Sequence, residues 1–249
     1  MTTTSTTRAL KARVRAIHRL LIKAYSMPAR PAWAGTVGSG DRSTAPIDWA
    51  PIDPIDELIN TILSQNTNDT NRDRAYRALR STLPAWEQVR DAPALKVIDA
   101  IRPAGLANQK GPRIQAVLRR ITAERGELNI DFLRELPVDD AKAWLTSLDG
   151  VGPKTAAIVL LFALGRPAFP VDTHIHRVTG RLGLIPPKTS ADKAHEILEA
   201  LVPAEWYHAF HLNVIAHGRA VCKAQRPRCE VCTLQKHCDY YQHRRGGTS

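Results

Sequence analysis

The 249-residue chain has only four cysteines, and none precedes position 222. A disulfide framework usually spreads its cysteines through a small secreted domain, so confinement of Cys222, Cys229, Cys232 and Cys238 to one C-terminal stretch points instead to a metal or cluster site. Also lacking is any apolar run near the roughly 20 residues that span a bilayer, and there is no acylation signal. The most apolar stretch, Thr155 to Leu164, reads as a buried helix. Residues Met1 to Thr7 have no apolar secretory core. A cytoplasmic location, nucleoid-associated in a bacterium, is therefore expected, with no membrane partner and a disordered tail over 1–7. No segment combines apolar alternation with β-branched enrichment, and internal repeats are not evident. The expected fold class is all-α.

What is present is a substantial core and an excess of positive charge. A hydrophobic content of 43% excludes disorder throughout. Lysine and arginine number 35 against 24 acidic residues, giving a formal charge of +11. Such a surface gains affinity for phosphates by displacing their condensed counterions, so nucleic acid is the first candidate partner.

Helical periodicity recurs along the chain. Leu10, Val14, Ile17, Leu20 and Leu21 form an apolar stripe among basic residues, and residues 26–51 are a long connection rich in Pro, Gly, Ser and Ala. Asp53-Pro54 then offers a capping carboxylate followed by proline at the first helical position, ahead of Ile55, Leu58, Ile59, Ile62 and Leu63. Further helices are expected over 70–83, 86–90, 93–101, 110–125, 131–136, 139–147, 153–164, 192–201 and 206–217.

Three motifs carry chemistry. Between two expected helices, Leu148-Asp149-Gly150-Val151-Gly152-Pro153-Lys154-Thr155 has glycines that permit a tight turn and close backbone approach, ahead of a helix start whose free amides favour an anion. A helix–hairpin–helix gripping a DNA phosphate is the functional reading, and an ordinary helical turn the bland one. Val171-Asp172-Thr173-His174 places a carboxylate where it can cap a helix. The cysteines are separated by six, two and five residues, and four thiolates can hold either zinc or an iron–sulfur cluster.

Taken together, these motifs resemble the endonuclease III family of helix–hairpin–helix DNA glycosylases, over about Leu10 to Tyr240. The resemblance implies a bifunctional DNA glycosylase and AP lyase of base excision repair, acting on oxidised pyrimidines or abasic sites in double-stranded DNA. It implies Lys154 as a Schiff-base nucleophile, assisted by Asp172, and a [4Fe–4S] cluster on Cys222, Cys229, Cys232 and Cys238. Gly150, Gly152 and Thr155 match the phosphate-gripping hairpin. Residues 63–69 and 105–108 resemble the family's two wedges into duplex DNA. Asn66 stands where glutamine is common, with Gln65 beside it, and Leu106 takes the place of the apolar wedge. Pro153 and Asp149 also depart from the usual hairpin. His174 and His176 are read as structural or solvent-facing.

The implied architecture is two helical domains with a DNA-binding cleft between them, in a protein acting as a monomer. A six-helix barrel over 47–166 contains the hairpin, and 167–249 form the iron–sulfur domain, joined by the helix and loop of 8–46. Two alternatives remain at this point. One is an adenine-mismatch glycosylase, disfavoured because Thr61 stands where that branch carries a catalytic glutamate. The other is a catalytically silent DNA-binding protein.

Overall fold

A computed structural model describes residues 2–28 and 52–246. The long connection, together with the first residues of the expected barrel, falls largely outside the described residues. Among those described, every regular element is helical. They divide into two compact units, residues 52–166 in one and residues 2–28 with 167–246 in the other.

The first unit contains α2 (Pro54–Ser64), α3 (Asp69–Thr82), α4 (Trp86–Asp91), α5 (Ala94–Ile101), α6 (Ala107–Arg125), α7 (Val138–Thr146) and α8 (Pro153–Ile158). Helix α2 starts as its sequence predicts: the Asp53 carboxylate accepts from the Ile55 amide at 2.7 Å and the Asp56 amide at 3.1 Å, with Pro54 leading the helix. Its stripe of Ile55, Leu58, Ile59, Ile62 and Leu63 is fully buried, each such side chain contributing about 1.5–3 kcal/mol. Gln115, itself buried in α6, donates to the carbonyls of Val89 and Ala92 at 2.9 and 2.8 Å and so closes the end of α4.

Three boundaries in this unit differ from expectation by more than one residue. The segment expected to be helical over 131–136 is a short 3-10 turn, Asp131–Arg134. Helix α6 begins at Ala107, three residues before the expected start at Lys110, with Leu106 in the N-cap position. Helix α8 gives way at Val159–Ala163 to a π-helical turn, in which the Leu164 amide donates to the Val159 carbonyl. Arg134 covers the carbonyls at its end, donating to Leu164 at 2.8 Å and Ala163 at 2.9 Å.

The second unit contains α1 (Thr2–Tyr25), α9 (Thr173–Arg181), α10 (Ala191–Leu201), α11 (Tyr207–Ala220) and α12 (Asp239–Gly246). Helix α1 covers residues 2–7, which the sequence leaves as a disordered tail. With no glycine or proline to stop it, propagation adds a hydrogen bond for each residue fixed. Val14, Ile17 and Leu21 are fully buried, and His18 stacks on Trp206 with ring centroids 4.5 Å apart. Arg13 pairs with Asp239 and donates to the His237 carbonyl at 3.0 Å, tying this helix to the cysteine segment. No described helix is long and apolar enough to cross a membrane.

Candidate functional site

The hairpin forms between α7 and α8. Gly150 adopts φ +73°, a left-handed conformation that disfavours any side chain, and a Cβ there would fall 2.1 Å from the Arg113 side chain. The Val151 amide donates to the Leu148 carbonyl at 3.1 Å, and both of these side chains are buried, so the turn is anchored from beneath. Gly152 has open space around its Cβ position and caps α8. Lys154 follows in the first turn of α8, half-buried. Thr155 is only 3% exposed, so its hydroxyl is packed inside; what this position offers a phosphate is backbone.

A second segment reaches the same hairpin. The Gln65 side-chain amide donates to the Gly150 carbonyl at 2.9 Å, committing that nitrogen to an internal contact. Asn66, next to it, is exposed with φ +52°. Leu106 is likewise left-handed, at φ +51°, and 47% exposed. A leucine at that exposure is not a core residue.

In the other unit, Asp172 caps α9, its Oδ1 accepting from the Ile175 amide at 2.7 Å. The two histidines that follow are tied into the structure. The His176 ring lies 2.7 Å from the Thr189 carbonyl and the His174 ring 3.0 Å from Arg177.

Cys222, Cys229, Cys232 and Cys238 line a single small cavity of about 20 Å³, walled by Val178, Leu182 and His217 among others. Burial pushes the Cys232 thiol up to about 11, and the other three cysteines add to that repulsion. Burial also raises Cys238, with Cys222 and Cys229 contributing. Four thiolates so placed are stable only around a strongly positive centre, which is what a metal cluster offers. No three of the histidine, cysteine or acidic side chains among the described residues converge on one ion-sized point.

Several residues around this cavity were not singled out by sequence. Arg181 donates to the Cys222 sulfur at 3.3 Å and to the carbonyls of Lys223 and Ala224 at 2.7 and 2.9 Å. The His217 ring lies 3.0 Å from the Tyr25 hydroxyl and 3.5 Å from the Cys232 sulfur, and its burial depresses its pKa to about 4. Lys223, Arg226 and Arg228, which the sequence itself marks as a basic loop between the first two cysteines, are exposed. In the first unit, sequence also missed Glu57, whose carboxyl burial pushes up to about 7. Thr61, one turn on, donates to it at 3.3 Å and opposes part of that shift. A solitary glutamate on a helix carries no sequence signal of burial.

Residues 59–204 match the family described as HhH-GPD superfamily base excision DNA repair protein. The chain is 35% identical over 195 residues to endonuclease III of Thermotoga maritima, covering 78% of this chain and 87% of that one. It is 36% identical over 183 residues to At3g47830 of Arabidopsis thaliana, named as a putative DNA glycosylase, and spans 62% of that protein's length. Among solved structures, a trapped endonuclease III–DNA covalent intermediate superimposes with a TM-score of 0.75 at 27% identity, covering 94% of this chain and 98% of that one. With a helix–hairpin–helix, a cysteine-lined cavity and this breadth of similarity, the chain belongs to the endonuclease III family of the HhH-GPD superfamily of base excision DNA repair proteins.

Proposed function

We propose that this protein is a bifunctional DNA glycosylase and AP lyase, excising oxidised or ring-fragmented pyrimidines from duplex DNA through Lys154 and acting as a monomer. The observation that carries the reading is the position of Lys154, in the first turn of α8 directly after the left-handed Gly150 turn. A backbone that holds a phosphate there delivers the adjoining sugar to the amine. The structural relative trapped as a covalent intermediate with DNA supports the same chemistry.

The neutral Lys154 amine attacks C1′, the N-glycosidic bond breaks, and the base leaves with a proton. Opening of the sugar ring then gives an iminium joining Nζ to C1′. Its electron-withdrawing character acidifies a C2′ proton, whose removal expels the 3′ phosphate by β-elimination, and water finally hydrolyses the iminium to free Lys154. A hydroxyl could release the base but could not form the iminium. Asp172 spends Oδ1 on its cap, and Oδ2 remains to stabilise developing positive charge and assist proton transfer.

Asn66 and Leu106 are assigned to the duplex. Leu106 occupies the gap left by the extruded nucleotide, and Asn66 contacts the opposite strand in place of the commoner glutamine. Cys222, Cys229, Cys232 and Cys238 would hold a [4Fe–4S] cluster, which when bound supplies a covalent cross-link shaping the basic loop of Lys223, Arg226 and Arg228 for DNA phosphates.

Incubation with an abasic-site duplex under borohydride tests the reading. The wild-type protein should be trapped on DNA and should cleave the strand, whereas Lys154→Gln should bind but do neither. Trapping by folded Lys154→Gln, or its failure in the wild type, would overturn the assignment.

A further inference from the structure

Lys110 is the largest fully buried side chain among the described residues, at 1% exposure, and it has no carboxylate partner there. Lysine is almost never found in that state unless its ammonium is satisfied. Here Nζ donates to the Leu63 carbonyl at 2.8 Å and to the Ala104 carbonyl at 2.9 Å. The first acceptor lies in the last turn of α2, whose carbonyls lack helical partners and whose dipole favours a cation. The second ends a short 3-10 turn, Arg102–Ala104.

The residues just past each acceptor give the contact its meaning. Three positions beyond Leu63 stands Asn66, and two beyond Ala104 stands Leu106, both non-glycine residues held at positive φ. For leucine such a conformation is strained and persists only where its surroundings impose it, whereas asparagine enters the left-handed region more readily. Both side chains are exposed, Leu106 by 47%, so the segments are held chiefly through their backbones rather than by burial of these side chains. One ammonium fixes the roots of both segments, while Gln65 links the first of them to the hairpin at Gly150. Gly111 supports the arrangement from the other side. A Cβ there would lie 2.8 Å from Ile98 Cγ1, so its absence lets this end of α6 lie close against α5.

We infer that Lys110 is a positioning residue that locks the Asn66 and Leu106 segments into one frame, so that the two enter the duplex as a unit. The inference rests on the proposed reading of those segments as DNA wedges. It makes Lys110 a determinant of nucleotide extrusion, with no direct part in the chemistry at C1′.

The test compares two rates under single turnover: excision of a stacked, paired oxidised pyrimidine, and strand cleavage at a preformed abasic site, where no base remains to be extruded. Lys110→Met keeps the length of the side chain and removes its donors; Lys110→Gln is a milder loss. Both should lower the ratio of the first rate to the second on the order of tenfold or more, since misplacement by about an ångström can cost a hundredfold in rate. A 2-aminopurine next to the lesion should brighten more slowly on mixing, reporting slower extrusion. Lys110→Arg, which retains donors and charge, should recover part of both signals. An unchanged ratio in a folded variant would overturn the inference, and so would failure of both Met and Gln variants to fold, which would make Lys110 a determinant of the fold itself. Wild-type protein inactive on both substrates would instead defeat the proposed function.

Discussion

Residues 52–166 and the cysteine segment 222–238 hold their shapes by different means. In the first, Ile55, Leu58, Ile59, Ile62, Leu118 and Ile121 are buried to within 1% of completeness, and the two most deeply buried long polar side chains, Lys110 and Gln115, are satisfied by carbonyls. In the second, only Leu234 and Cys238 are buried, and regular structure is limited to the three-residue turns Cys229–Val231 and Gln235–His237. Hydrophobic burial can specify the first region. It cannot specify the second, where four inward-facing thiols take its place and fixity depends on what they bind.

The largest effect that would break this contrast is on the cysteine segment. Cys229→Ser, or chelation of iron, should strip amide protection from residues 222–238, costing several kcal/mol locally, while residues 52–166 keep theirs. Hydrogen exchange followed by peptide mass analysis reads both regions at once, and uniform loss across them would erase the distinction. Aerobically purified protein should be brown and contain about four irons per chain.

Next in size, Leu58→Ala removes a fully buried side chain from α2 and should lower global stability by about 2–5 kcal/mol in denaturant unfolding, with iron content unchanged. Glu57 supplies a smaller, pH-dependent term. Its folded pKa of about 7 exceeds the ordinary 4.5, so the native state binds more protons than the unfolded chain between those values. Stability is thus fully present below about pH 4.5 and declines as pH rises through 7. Glu57→Gln should remove the decline, stabilising the protein at pH 8 relative to pH 5 by on the order of 1–3 kcal/mol. Parallel pH profiles for the two proteins would show that this carboxyl is not strained.

The smallest stability change is expected at Leu106. At 47% exposure, Leu106→Ala should alter unfolding by no more than about 0.5 kcal/mol. It should nonetheless slow excision of a paired lesion more than cleavage at an abasic site. A large loss of stability, or equal slowing on both substrates, would reject the wedge.

Much of this was legible in the sequence because it rests on local rules. The Asp53-Pro54 start of α2, the hairpin glycines and the cap at Asp172 each arise from a residue acting on backbone within three positions of itself. What was not legible rests on contacts distant in sequence. In a chain with 35 lysines and arginines, nothing singles out Lys110, and only folding brings it to a carbonyl 47 residues away. Thr155 matches the phosphate-gripping hairpin in sequence, yet its side chain is buried. The early start of α6 is hidden by Leu106, since leucine is a poor N-cap by composition and a left-handed one is rarer still.

The central claim, that one amine carries both base removal and strand cleavage, is tested most directly by locating the reduced adduct. Wild-type protein trapped by borohydride on an abasic duplex would be digested with nuclease and protease, and its peptides sequenced by mass spectrometry. The account predicts a deoxyribose-derived mass on Lys154 and on no other lysine. An adduct on a different lysine or on the N-terminal amine, with Lys154 unmodified, would contradict it.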